Sequence, residues 1–213
     1  VYFLLKFVIG INRGNLFPCA GAPLSPKIIE FLQSVNIPIF IGYGLTETNA
    51  TVSCYPDIGV VIESVGTVMP NLEVKISEEG EILVKGKTLM KEYYKKPEET
   101  AKVFTEDGFL RTGDSGELWP NGTLFLKERI KDLYKTSNGK YIAPQAMETD
   151  LGADVFIDMI ATIGDERKFV SALIVPDYDA LSKWADNNGL KYSNMTELIN
   201  LKEVNSMLAG RIE

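Results

Sequence analysis

Apolar residues in the first third of the chain follow a helical period in one segment and form short runs on either side of it. The helical spacing is carried by Ile28, Ile29, Leu32 and Val35. Because a Ser-Pro pair typical of a helix start precedes these residues, the spacing predicts a helix over 25–35. The apolar runs at 16–20 and 37–41 have the length of strands. A strand, a helix and a strand in this order predict a parallel pair whose carboxyl ends share one sheet edge.

Another apolar stretch occupies 1–11 and is interrupted by Lys6. It is much shorter than the roughly 20 apolar residues that a membrane-spanning helix needs. The pattern therefore predicts an ordinary buried segment and no transmembrane segment.

The middle of the chain changes to short alternating segments that are typical of strands. Turn signals separate them at Glu79-Gly80, Asp107-Gly108 and Asn121-Gly122. Such dipeptides favour tight hairpin connections. The pattern predicts a β-rich region with a short helical turn at 97–103 and with strands at 72–76, 81–84, 108–111, 117–119 and 123–126.

The last third combines apolar runs of strand length with helical segments. We predict strands at 155–163 and 169–175, the first of them bent at Asp158. A loop is predicted at 136–139, and a helix is predicted to start at 143. Two further helices are predicted at 177–187 and 195–208. The change of pattern places a domain boundary near Lys131.

Composition narrows the chemistry that this chain supports. The 213 residues are 45% hydrophobic and 24% charged, which is typical of a folded globular protein, and the net charge of -7 gives no reason to expect nucleic-acid binding. The absence of histidine excludes histidine-dependent triads and imidazole metal ligands. Cys19 and Cys54 have no CxxC or histidine partner, so the sequence indicates no zinc site and no disulfide framework, and we expect a reducing, cytoplasmic location.

The segment 41–50 carries the first candidate site. Gly42, Tyr43 and Gly44 follow an apolar run and predict a turn at the end of a strand, where backbone amides approach a nucleotide. The Thr46 hydroxyl suits a phosphate, and the Glu47 carboxylate suits a hard cation such as Mg²⁺. On its own, this segment is equally typical of a glycine turn followed by a polar helix cap.

Four motifs in a fixed order make the first interpretation the stronger one. They are 21–24 (GAPL), 43–48 (YGLTET), 111–114 (RTGD) and 129–132 (RIKD) with 135–139 (KTSNG). In their order and spacing the chain resembles the adenylate-forming, AMP-binding enzymes, a superfamily of acyl-CoA synthetases, peptide-synthetase adenylation domains and luciferases. The resemblance covers nearly the whole chain, and four ordered motifs are far more specific than one.

The resemblance implies a multidomain α/β and α+β fold. Residues 1–64 would be the distal part of the large, doubly wound α/β AMP-binding domain. Residues 65–130 would form a β-rich, barrel-like subdomain, and residues 131–213 a truncated, small α+β lid domain.

The resemblance also implies roles around the nucleotide ATP or AMP. Gly21 and Ala22 would lie along the adenine, and Tyr43, flanked by Gly44, would stack on its other face. Asp114 would accept hydrogen bonds from both ribose hydroxyls, because an ionised carboxylate offers two acceptor oxygens. Arg129 would donate to the ribose or to a phosphate from the other side.

The resemblance implies catalytic and hinge residues as well. Thr46 would contact the α-phosphate and Glu47 would bind the magnesium ion. Lys131 would be the hinge about which the lid domain changes pose. Lys135 and Gly139 would then lie near the pantetheine channel of CoA.

Within the superfamily, two segments are most similar to the long-chain fatty-acyl-CoA ligases: 134–144, and 81–86 with Met90, Tyr93 and Tyr94 following. The implied small-molecule substrates are a fatty acid, ATP and CoA, and the parent enzyme is compatible with peripheral membrane association. Two alternatives stay open. One is another acyl or aryl acid adenylating enzyme, such as an acyl-AMP ligase, and the other is a non-catalytic nucleotide-sensing module.

The chain departs from the family pattern in a few places. Glu128 replaces a usual glycine, Ser115 replaces an aliphatic residue, and Asn138 stands where glycine is common. No Ser/Thr/Gly-rich phosphate loop precedes Gly21, and no late Gly-Lys pair follows Arg211. The family uses that lysine to stabilise developing charge, so we predict an internal fragment that is inactive alone and binds AMP at most weakly.

Overall fold

The computed structural model of the protein describes residues 2–56, 59–130, 132–137 and 139–212. The chain divides into two compact units, Val1–Lys131 and Asp132–Glu213. Each unit has its own buried core.

The first unit begins with a mixed four-stranded sheet. Its elements are α1 (Tyr2–Val8), β1 (Phe17–Cys19), α2 (Pro26–Ser34), β2 (Ile39–Leu45), a 3₁₀ turn (Thr46–Thr48), β3 (Ala50–Cys54) and β4 (Thr67–Val68). The strand order is β1-β2-β3-β4. Strands β1 and β2 are parallel, with Pro18 opposite Phe40. The predicted strand-helix-strand unit is therefore confirmed, and α2 buries Ile29 against Ile41 and Tyr55.

The prediction that 1–11 is a buried segment was wrong. The segment forms the short helix α1, but Leu4, Phe7 and Val8 are 66%, 61% and 75% exposed. Apolar content predicts burial only where another surface packs against the segment. In this structure these side chains face solvent.

A second sheet of four antiparallel strands follows in the order β5-β6-β7-β8. Its strands are β5 (Leu72–Ile76), β6 (Glu81–Gly86), β7 (Leu110–Leu118) and β8 (Leu124–Arg129). The helix α3 (Pro97–Val103) lies between β6 and β7 in the chain. The predicted turns are confirmed, since Gly80, Gly108 and Gly122 all have positive φ. The two predicted strands at 108–111 and 117–119 are instead one strand, β7. It continues as one strand because β6 pairs with one part of it and β8 with the other.

Strand β4 links the two sheets. It pairs with β3 on one side, and on the other Thr67 bridges Thr123, the residue just before β8. Gly66, just before β4, has φ +88, and a Cβ there would lie 1.9 Å from a backbone atom of Cys54, so this approach requires glycine. The two sheets share one core, which contains Tyr43, Val52, Ile82, Val84 and Leu124.

The second unit packs helices beside small antiparallel sheets. Its elements are β9 (Tyr134–Lys135), β10 (Tyr141–Ile142), α4 (Pro144–Leu151), β11 (Ile157–Ile163), β12 (Ser171–Pro176), α5 (Tyr178–Asn187), α6 (Met195–Asn200) and α7 (Lys202–Ile212). The bend predicted at Asp158 is confirmed by a register shift between Ile157 and Met159. The single helix predicted over 195–208 is instead two helices, because Leu201 between them is extended.

The predicted mixed α/β, multidomain fold class is confirmed by these elements. The second unit buries Phe156, Leu181, Ala185, Leu198 and Val204 in its core. Within the described part of the chain, every helix is too short or too polar to span a bilayer.

Candidate nucleotide site

The Gly-Tyr-Gly segment lies inside a strand, which corrects the predicted turn. Gly42, Tyr43 and Gly44 belong to β2 and neither glycine has positive φ. The segment stays extended because β3 returns beside it, with a register shift between Tyr43 and Gly44. Two glycines separated by one residue suggest a turn locally, but the pairing with β3 decides the conformation.

The turn follows β2 directly, at Thr46–Thr48. Thr48 is fully buried, and its Oγ1 accepts from the Leu45 amide and donates to the Leu45 carbonyl, both at 2.9 Å. Asn49 then adopts the left-handed conformation, with φ +51. This short turn leaves Thr46 exposed and Glu47 half-buried at the end of the strand.

The centre of the site is the carboxylate of Asp114, which is only 7% exposed. The Tyr43 hydroxyl donates to its Oδ2 at 2.7 Å, across 71 positions of sequence. Arg129 is paired with Asp114 across β7 and β8, and its Nε lies 3.8 Å from Oδ1. The structure thus brings together three of the residues predicted to surround a nucleoside, and each comes from a different strand.

Burial and charge fix the protonation state of Tyr43. Removal from solvent and the negative charge of Asp114 raise the pKa of the Tyr43 hydroxyl far above its usual value. The hydroxyl therefore stays protonated and donates to Asp114 at physiological pH. The ring itself is only 7% exposed and packs in the core, so stacking on adenine would require its surroundings to open. That role stays a prediction.

A second layer of hydrogen bonds positions Asp114. Thr112 is buried, and its Oγ1 donates to the Ile82 carbonyl at 2.7 Å and accepts from the Asp114 amide at 3.1 Å. Gly113 has φ +76, and its amide donates to the carboxylate of Glu81 at 2.9 Å. These contacts hold a local bulge in β7 that sets the direction of the Asp114 side chain.

Two departures from the family pattern meet in the structure. The Ser115 hydroxyl donates to the Glu128 carbonyl at 2.9 Å and accepts from the Glu128 amide at 3.1 Å. This pair joins β7 to β8 immediately beside the Asp114 and Arg129 pair. An aliphatic residue at Ser115 would lack both bonds.

Gly21 and Ala22 lie in an exposed turn just after β1. Gly21 has φ +92, which favours glycine. A Cβ placed on Gly42 would lie 3.9 Å from the Cβ of Ala20, so the start of this turn is next to β2. The position is compatible with the predicted adenine contact, which stays a prediction.

Glu47 has a partner that the sequence did not reveal. The Tyr93 hydroxyl donates to Oε1 of Glu47 at 2.7 Å. Removal from solvent, followed by the hydrogen bond and charge of Glu47, raises the pKa of Tyr93 to about 12, so it too stays a donor. The sequence points to Tyr93 only through its resemblance to the ligases. A contact across 46 positions leaves no local pattern in the sequence.

The donor set at Glu47 fits magnesium rather than a metal held by protein alone. Within the described ranges, no three His, Cys, Asp or Glu side chains cluster as a metal site. Magnesium is commonly held by one or two carboxylates together with substrate phosphates. Glu47, with the exposed Thr46 hydroxyl beside it, offers such a partial site.

Lys135 and Gly139, the predicted CoA-side residues, belong to the second unit. Both are exposed, Gly139 has φ +82, and a Cβ on it would lie 3.7 Å from Lys135 Cε. The predicted hinge Lys131, like Asn138, lies outside the described residues. Its role stays a prediction.

An open cleft of about 600 Å³ lies elsewhere on the first unit. It is lined by Asn71, Lys85, Gly86, Lys87, Thr88, Leu89 and Gly108. Tyr43, Asp114 and Arg129 do not contribute to it.

Comparison with known proteins identifies the class of this chain as the AMP-binding enzymes. Residues 5–94 match the model of the family described as AMP-binding enzyme. Together with the relatives below, this match shows that the chain belongs to that family. The resemblance to adenylate-forming enzymes is thereby confirmed.

The relatives include named ligases. Long-chain-fatty-acid–CoA ligase 4 of Saccharomyces cerevisiae is 37% identical over 183 residues, which is 80% of this chain and 26% of that protein. Long-chain-fatty-acid–CoA ligase FadD15 of Mycobacterium bovis is 33% identical over 188 residues, which is 88% of this chain and 31% of that protein. The chain therefore spans less than a third of either relative.

A solved structure shares the fold. O-succinylbenzoate CoA synthetase (MenE) from Bacillus subtilis, in complex with its acyl-adenylate intermediate OSB-AMP, matches with a TM-score of 0.69 and 25% identity. The match covers 89% of this chain and 43% of that one.

Proposed function

We propose that this chain is the nucleotide-binding part of an ATP-dependent acyl-CoA synthetase that acts on long-chain fatty acids. In the first half-reaction, a fatty-acid carboxylate oxygen attacks the α-phosphorus of ATP, so that acyl-AMP forms and pyrophosphate leaves. In the second, the CoA thiol attacks the acyl carbon and AMP leaves. The relatives named as long-chain-fatty-acid–CoA ligases support this substrate class.

The observation that carries the proposal is the meeting of Tyr43, Asp114 and Arg129. Asp114 would accept both ribose hydroxyls, and the protonated Tyr43 hydroxyl would hold its carboxylate in place. Arg129, whose side chain is 46% exposed, would reach the ribose or a phosphate from the open side. This arrangement would fix the nucleoside end of ATP and of acyl-AMP.

The turn after β2 would contact the phosphates of ATP. The exposed Thr46 hydroxyl would contact the α-phosphate, and Glu47 would hold Mg²⁺. When bound, that ion would neutralise charge on the phosphates of ATP. Lys135 and Gly139 would meet CoA after a change of pose about Lys131. The cytoplasmic location and any peripheral membrane contact stay predictions.

The test uses the full-length protein encoded by the gene that contains this chain. We expect palmitate-dependent pyrophosphate exchange and CoA-dependent palmitoyl-CoA formation. Asp114→Asn should lower kcat/KM for ATP on the order of 100-fold, because hydrogen bonds of a charged group contribute about 1.5–3 kcal/mol each. Asp186→Asn, at an exposed position of α5, is the matched control and should retain activity.

The results separate the alternatives. Exchange without CoA-thioester formation would favour an acyl-AMP ligase that uses another acceptor. Nucleotide binding without exchange for any acid would favour a sensing module. Either result would contradict the proposed synthetase.

A further inference from the structure

The segment that precedes α3 contacts Glu47 at both its side chain and its main chain. The Tyr93 hydroxyl donates to Glu47 Oε1 at 2.7 Å. Three residues earlier, the Met90 amide donates to the Glu47 carbonyl at 2.7 Å. Two contacts from one segment therefore hold both the side-chain carboxylate and the main-chain carbonyl of Glu47.

Tyr93 is itself held by the first turn of α3. Its amide donates to Thr100 Oγ1 at 2.9 Å, and that hydroxyl donates to the Lys96 carbonyl at 2.9 Å. The Lys96 amide donates to the Tyr93 carbonyl at 3.0 Å. The phenol is therefore attached to a hydrogen-bonded frame and not to a free loop.

The two carboxylate oxygens of Glu47 differ in their hydrogen bonding. Oε1 accepts the phenol, and no hydrogen bond from a described residue reaches Oε2. A donor on one oxygen orients a carboxylate and lowers the conformational entropy that it loses on binding a cation. Such outer partners of metal ligands commonly change metal affinity or activity by 10- to 100-fold when mutated.

We propose that Tyr93 is a positioning residue that holds Glu47 with Oε2 directed to a divalent cation at the phosphates of the nucleotide. The inference rests on the proposed function, because that function supplies the nucleotide and the cation. It extends that function by assigning a role to a residue outside the four motifs.

The first test follows the metal directly on this chain. In an amide NMR titration with Mn²⁺ and AMP, the ion broadens signals of nearby amides, and we expect selective broadening at residues 46–48. Tyr93→Phe should raise the Mn²⁺ concentration for half-maximal broadening by about tenfold. Glu47→Gln should abolish the selective broadening.

The matched control is the neighbouring tyrosine. Tyr94 is 81% exposed, so Tyr94→Phe removes a hydroxyl that faces solvent and should titrate like the wild type. The amide spectrum of each variant reports whether the fold is retained. An unchanged Mn²⁺ midpoint in a folded Tyr93→Phe, an equal shift in Tyr94→Phe, or retained broadening in Glu47→Gln would overturn the proposal.

The second test uses the full-length protein and varies free Mg²⁺. In pyrophosphate exchange, Tyr93→Phe should need about tenfold more Mg²⁺ for half-maximal rate and should approach the wild-type rate and ATP KM at saturating Mg²⁺. A lower rate with the same Mg²⁺ dependence would indicate a merely structural role and would overturn the proposal. If the wild type shows no exchange, the proposed function fails, and the Mn²⁺ titration alone decides the role of Tyr93.

Discussion

At the scale of single residues, the site depends on two tyrosine hydroxyls that donate to two carboxylates. Tyr43 donates to Asp114 and Tyr93 to Glu47. Tyr43 is buried and Tyr93 is half-buried, and the pKa of each is raised, so both hydroxyls remain donors. Each carboxylate is thereby oriented before any ligand arrives, which reduces the reorganisation that binding requires.

Removing the Tyr43 hydroxyl should weaken the fold as well as the site. Tyr43→Phe leaves the buried Asp114 carboxylate without a 2.7 Å donor. Hydrogen bonds to charged groups contribute about 1.5–3 kcal/mol, so we expect the free energy of unfolding to fall by about that amount. Urea unfolding measures it, with Tyr94→Phe as the control. Equal stability of Tyr43→Phe and wild type would contradict this role.

At the scale of elements, the conformation of β7 controls where Asp114 points. Gly113 has φ +76, its amide donates to Glu81, and its carbonyl accepts from the Ile130 amide at 2.8 Å. The strand therefore changes direction at one residue while it remains hydrogen-bonded on both sides. This makes Gly113 the backbone element on which the site depends.

Substituting Gly113, with Gly122 as a control, distinguishes a loss of stability caused by backbone strain from a loss of AMP binding caused by a displaced Asp114. Gly113→Ala should lower the free energy of unfolding by about 1–2 kcal/mol, because a side chain disfavours the left-handed region. It should also weaken AMP binding. Gly122→Ala is the control: with φ +84 and open space around its Cβ, it should carry the same stability cost and leave AMP binding unchanged. Equal AMP affinity in both variants would contradict the account.

The helix α7 of the second unit has a pH-dependent contact. The Arg211 guanidinium donates to Asp154 and lies over the Phe156 ring at 4.4 Å. Burial tends to raise the pKa of Asp154, but the Phe156 amide and Arg211 outweigh it and hold the pKa below its ordinary value of 3.8. The contact therefore stabilises the fold above about pH 4, and this stabilisation is lost as pH falls through the lowered pKa.

Arg211→Gln should therefore destabilise the chain at pH 7 and lose its effect in acid. The pair is partly exposed, so we expect about 0.5–1 kcal/mol at pH 7. Urea unfolding at pH 7 and at pH 2.5 measures the difference between the variant and wild type. A difference of the same size at both pH values would show that the charge of Asp154 is not involved.

Local sequence patterns predicted the elements whose two ends are marked by turn or cap residues in the sequence. The strand Leu72–Ile76 and the helix Pro97–Val103 were predicted with their observed bounds. Gly42 and Gly44 misled the prediction because pairing with β3, which the two glycines themselves do not signal, keeps them extended. The family resemblance identified Asp114 and Glu47 as candidates, but their contacts with Tyr43 and Tyr93 span 71 and 46 positions and have no period to detect.

At the scale of the whole molecule, the residues that we predict to contact the nucleoside and those that we predict to contact CoA belong to different units. Tyr43, Asp114 and Arg129 lie in Val1–Lys131, and Lys135 and Gly139 lie in Asp132–Glu213. This division follows the two half-reactions that we propose. It also means that AMP binding can be tested on the first group of residues without CoA or an acyl substrate.

The most direct measurement is an amide NMR titration of this chain with AMP. We expect weak binding whose chemical-shift changes cluster at Tyr43, Asp114 and Arg129, are lost in Asp114→Asn and are retained in Asp186→Asn. Shifts that are indifferent to Asp114→Asn, or that fall only within residues 132–212, would contradict the assignment of this site to the nucleotide.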